Sequence, residues 1–163
     1  MSRQLAELEH VLGMMVAEHR KLLEQVDAQH LAMRTMQAEQ MQNITALQES
    51  TRLRIATLDV KRRTLATQIG KLIRLPGEPT LAQLSQAFPA RAIPLRHLRD
   101  ELRALVMAIQ SRTTVGARLA GAVLGHLNTA VRLIAGAVQQ AGVYTKNGTP
   151  RVAARIGAIE AIG

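Results

Sequence analysis

The chain has 163 residues, 47% of them hydrophobic, a formal charge of +9 and no cysteine. That length holds one ordinary domain and leaves no room for a catalytic domain beside a scaffold. The missing cysteines exclude a disulfide framework, a thiolate nucleophile and a thiolate metal site.

Only Phe88 and Tyr144 are aromatic, so the core must come from Leu, Ile, Val, Met and Ala, the side chains of helical seams. Near the N-terminus Glu7 and Glu9 fall where a secretory signal needs an unbroken apolar stretch. From Arg3 to about residue 34, Leu5, Leu8, Leu12, Met15, Leu22, Val26 and Met33 recur at steps of three and four, which predicts a helix about 48 Å long. A second run, from Met41 and Ile44 through Leu47, Ile55, Leu58, Leu65 and Ile69 to Leu72, predicts another helix over about 37–74. Thr35 is its expected N-cap, with Ala38 and Glu39 in the first turn.

A tight turn between the two makes a long antiparallel helical hairpin. The competing arrangement is one continuous helix from 3 to 74 that buries its seam by dimerising as a coiled coil.

Residues 75–93 hold Pro76, Pro79 and Pro89, with Pro94 just beyond. They predict a connector with one or two helical turns at Leu81–Ala87. A third long helix is expected over about 94–142, with Pro94 at its first position. Residues 143–163, with turn chemistry at Asn147, Gly148 and Pro150, are expected to be a loose, flexible tail. The resulting expectation is an all-α chain: one helical domain over 1–142 (hairpin 1–74, connector 75–93, third helix 94–142) and a tail over 143–163.

No catalytic or phosphate-binding motif occurs, and the histidines at 10, 19, 30, 97 and 126 never fall four apart on one helix face. The acids Glu7, Glu18, Glu24 and Asp27 spread along one surface instead of converging on a pocket. No enzyme activity, catalytic residue, metal site or cofactor is therefore expected.

Residues 76–163 hold ten Lys or Arg against four acids, and no acid falls between Glu101 and Glu160. An acidic partner, nucleic acid or a membrane surface must therefore be weighed. The Lys61-Arg62-Arg63 cluster could contact phosphates, yet no aromatic is interleaved to stack on bases and the Arg62 stem falls at a seam-like position, which disfavours nucleic acid. The uncharged run Leu133–Thr145 has 13 residues, short of the roughly 20 that span a bilayer, so no membrane span is expected.

In the third helix, advancing about 100° per residue from Leu119 places Val123, Leu127, Ala130, Ile134 and Val138 on one broad apolar face. The opposite side collects Arg118, Gly121, Gly125, Asn128, Arg132 and Gly136. Glycine costs a solvated helix about 1 kcal/mol relative to Ala. Several of them here point either to close approach by another backbone or to a helix that a partner orders.

This order of pieces resembles the FlgN family of flagellar export chaperones. The first helix carries an acid followed by paired leucines, Glu18 and Leu22-Leu23. The second ends in basic residues and a leucine, Lys61-Arg62-Arg63 and Leu65, and a Pro-containing connector follows. The last helix and tail show Asn128, Arg132, Ile134, Tyr144 and Gly148.

The resemblance implies a cytoplasmic chaperone that binds the C-terminal helices of hook-filament junction proteins and hands them to the export gate. It places partner binding on Leu119, Val123, Leu127, Asn128, Val131, Arg132, Ile134 and Val138, with Tyr144 as the contact to the gate. The oligomeric state, monomer or dimer, stays open, and a basic coiled-coil scaffold or nucleic-acid-binding protein is the competing reading.

Overall fold

The computed structural model describes residues 2–143, and among them the fold is all-α. It consists of α1 (Ser2–Arg34), α2 (Ala38–Leu72), α3 (Leu81–Ala87) and α4 (Ala92–Val143), with a 3₁₀ turn at Pro89–Arg91. Contacts divide the chain into two compact units, Met1–Ala120 and Gly121–Gly163.

In the first unit α1 and α2 form the antiparallel hairpin. Gln25 Nε2 donates to Thr51 Oγ1 at 3.0 Å and Gln29 Nε2 to Thr45 Oγ1 at 3.3 Å, while Lys61 pairs with Glu7 at 3.0 Å. The continuous helix over 3–74 is excluded by the way α1 ends. Met36 takes a left-handed φ of 55°. Its N–H donates to the Met33 carbonyl at 3.2 Å and that of Gln37 to the Ala32 carbonyl at 2.9 Å. These two bonds are the Schellman closure that turns a chain out of a helix.

Thr35 does not cap α2. Its hydroxyl donates back to the Leu31 carbonyl at 2.9 Å, because a Thr in the last turn of a helix reaches its own i−4 carbonyl more readily than the next helix. The N-cap of α2 is Gln37, without a side-chain capping bond.

The second helix closes in the same way, two residues short of 74. Arg74 has φ 58°, and the Leu75 N–H donates to the Gly70 carbonyl at 2.9 Å. Gly70 also lets the connector lie against α2, since a Cβ there would stand 2.9 Å from Pro79 Cδ. α3 occupies the predicted span behind a capping box in which Thr80 Oγ1 accepts from the Gln83 backbone.

α4 begins at Ala92, two residues earlier than expected, because the 3₁₀ turn runs directly into it. Pro94 then sits within the first turn, where no intrahelical N–H is needed.

The core lies where the start of α1 meets the end of α2, α3 and the start of α4. Leu5, Leu8, Val11, Leu12 and Met15 of α1 pack with Leu65 and Ile69 of α2, Leu84 of α3 and Leu95 of α4. From there α4 runs parallel to α1 as far as Ala120. Glu9 pairs with Arg91, Arg20 with Glu101 and Asp27 with Arg112, so later residues of α1 meet later residues of α4.

Gly116 completes this register, since a Cβ there would lie 2.4 Å from Nε2 of the buried His30. Gly-to-Ala in a helix ordinarily gains about 1 kcal/mol. Here overpacking against a buried ring reverses the sign, and Gly116→Ala is expected to lower the unfolding free energy by about 1–3 kcal/mol in a denaturant titration. A gain in stability would instead mean that the His30 ring moves aside freely.

Candidate partner-binding surface

In the second unit the helical residues run from Gly121 to Val143. Leu127, Val131, Ile134 and Val138 are exposed by 44%, 61%, 65% and 56%, and Val123 is half-exposed. At 3.6 residues per turn Val123, Leu127, Ile134 and Val138 share one face, with Val131 at its edge. Asn128 lies beyond that edge, and Arg132 points to the opposite side, so the expected set is not one face. Leu119 is half-buried and belongs to the first unit. Tyr144 and the tail lie outside the described residues.

Two residues missed from the sequence flank the face: Leu124 and Leu133, exposed by 61% and 70%. They fall at the margins of the stripe, where a period centred on Leu119 gives little weight, and only their exposure identifies them. Single exposed aliphatics are ordinary, but several along one helix face mark an interaction surface. At Gly121, Gly125 and Gly136 an added Cβ would meet nothing within 4 Å. Among the described residues, therefore, no other backbone packs closely on these glycines.

The first unit carries a different feature, an open cleft of about 420 Å³ between α2 and α4, floored by Met15, His19 and Leu22 and walled by Ile55, Ala56, Val106 and Ile109. His19 is not free there, because its Nδ1 lies 2.7 Å from the Met15 carbonyl and must donate to it. No group of three or more His, Asp or Glu that could hold a metal occurs among the described residues.

The basic cluster of α2 is neutralised. Lys61 pairs with Glu7, Arg62 Nε donates to Asp59 at 2.8 Å and its Nη1 to Glu78 at 2.9 Å, and Arg63 Nε reaches the other Asp59 oxygen at 2.8 Å. Burial pushes the Asp59 carboxyl up, but the hydrogen bonds and charges of Arg62 and Arg63 outweigh it and hold the group below its ordinary value. Burial likewise works against the Arg62 cation, and Asp59 with Glu78 reverses it, raising that pKa.

Because the folded pKa of Asp59 is depressed, its stabilisation is present above the unfolded value of about 3.9 and is lost as pH falls through the folded value. Asp59→Asn is therefore expected to be less stable than the parent at neutral pH. The gap between their unfolding free energies should close in strong acid, measured by urea titrations across the range; a gap independent of pH would refute the assignment.

The chain matches the family model described as FlgN protein over residues 1–151. No curated protein and no solved structure matches it. The match takes in all four helices, including the hairpin and the exposed stripe, and the chain belongs to the FlgN family.

Proposed function

We propose that this chain is a cytoplasmic chaperone of flagellar type III export that acts by binding, without catalysis. It holds the C-terminal helices of hook-filament junction proteins and prevents their premature assembly. In this reading residues 1–142 work as one helical domain. Val123, Leu127, Val131, Ile134 and Val138 take the apolar face of the substrate helix, with Leu119 extending the set. Asn128 supplies a polar contact beyond its border, Arg132 acts from the opposite side of the helix, and Tyr144 meets the export gate.

The observation that carries the proposal is the exposed aliphatic stripe of α4, lying within the part of the chain matched by the family. An amphipathic substrate helix left uncovered would assemble or aggregate, and a second helix across its apolar face prevents both. The test is capture of hook-filament junction proteins by the full chain and by a Val131→Asp, Ile134→Asp double variant. Capture by the parent alone supports the proposal, and equal capture by both sinks it. A nucleic-acid scaffold is the weaker alternative, because Lys61, Arg62 and Arg63 already have carboxylate partners.

A further inference from the structure

Beyond export, we propose that the aliphatic stripe of the second unit, when no protein helix covers it, lies in the surface of an anionic phospholipid bilayer. α4 is long and apolar enough by length and composition to cross a membrane, and none of its most apolar window is buried. Crossing is nevertheless disfavoured. Asn128 and Arg132 fall in the middle of that stretch, and an arginine at the centre of a spanning helix costs about 2.5–3.5 kcal/mol or more.

The same residues suit a helix lying in the plane of the interface. Leu124, Leu127, Val131, Ile134 and Val138 enter the acyl boundary, while Arg132 on the far side stays with the headgroups. From Leu124 to Val138 the stripe is about 21 Å long at 1.5 Å per residue.

Charge selects the occupant. Of the seven Lys or Arg in residues 102–159, which contain no Asp or Glu, Arg112 is paired with Asp27. Nothing in this region repels an anionic leaflet, and each unpaired cation near such a surface is worth about 1 kcal/mol. A second copy of the chain would bring these cations together with no acid to pair them, against the charge pairing of helix dimers. A nucleic acid would engage the arginines and leave the aliphatic stripe in water. An anionic bilayer meets both demands.

The test is co-sedimentation of the full, nuclease-treated chain with vesicles of phosphatidylcholine alone or containing about 30% phosphatidylglycerol, an anionic content suited to basic helices. Each is run at about 50 mM and about 500 mM salt, on either side of effective screening. The expected result is binding to the anionic vesicles at low salt, weakened at least tenfold at high salt. Val131→Asp, Ile134→Asp should leave the chain in the supernatant, and Arg132→Glu should weaken binding several-fold.

Far-UV circular dichroism of each variant, alone and with vesicles, separates lost binding from lost folding. Three outcomes would overturn the proposal: no sedimentation with anionic vesicles, equal sedimentation with both lipids, or sedimentation unaffected by the Val131 and Ile134 substitutions. Capture of junction proteins is measured without lipid, so failure here leaves the export reading untouched, and failure there leaves this one standing.

Discussion

Replacing Leu84 with Ala is expected to lower the unfolding free energy by about 3 kcal/mol, within the range of about 2–5 for a buried Leu losing its side chain. Leu84 is fully buried among Leu8, Leu12, Ile69 and Leu95, and it comes from a helix of only seven residues. A helix that short does not persist alone in water, since isolated helices below about 12–15 residues are marginal. Its order depends on its capping box and on the buried face that Leu84 provides. The loss should therefore exceed one side chain's transfer term, because α3 undocks as the cavity opens. Thermal unfolding followed by circular dichroism should show the midpoint falling by about 10 °C or more. A change below about 1 kcal/mol would mean that the connector contributes nothing to the core.

The second large effect falls on binding instead of folding. Val131 and Ile134 are exposed, so two aspartates there cost the free chain little. In a complex each aliphatic side chain removed from water contributes about 1.5–3 kcal/mol, and a carboxylate in its place must also be desolvated. Losing both should weaken capture of a substrate helix by about 100-fold or more, read by calorimetry against the purified partner, with melting of the first unit unchanged. A loss below about fivefold would move the substrate site off this face.

The all-α class, the hairpin and the short helix at Leu81–Ala87 were legible because each rests on a local rule. Leucines at three- and four-residue steps and prolines concentrated in one connector act over a few residues. Part of what escaped depends on contacts distant in sequence, and part on a local closure with no residue signature. Gly116 looks like any helix glycine until His30 is found where its Cβ would be. Thr35 reads as a start signal, yet Met36, with no glycine or asparagine to announce it, takes the left-handed conformation that ends α1.

Arg62 is legible as a seam-edge residue, but its partner Glu78 comes from the connector, beyond any helical period. Within the candidate site the stripe from Leu127 to Val138 follows from its period. That Leu124 and Leu133 widen it was invisible to a wheel centred elsewhere, because exposure, unlike spacing, is a property of the whole fold.

The hairpin is not uniform along its length, and this gives it a mechanical direction. At the open end, Leu5, Leu8 and Leu12 meet Leu65 and Ile69. Towards the turn fewer apolar side chains are buried, Val26, Ala32 and Ile44 among them, and amides and hydroxyls join the helices beside them, with Gln48 donating to Gln29 at 3.1 Å and Gln25 to Thr51. Water competes for the second kind of contact and not for the first, so local opening is cheapest where polar pairs replace buried apolar area. Force applied at the turn would unzip the pair through bonds that water replaces one at a time. Force applied at the other end would have to pull leucines apart together, making the hairpin compliant at one end and brittle at the other.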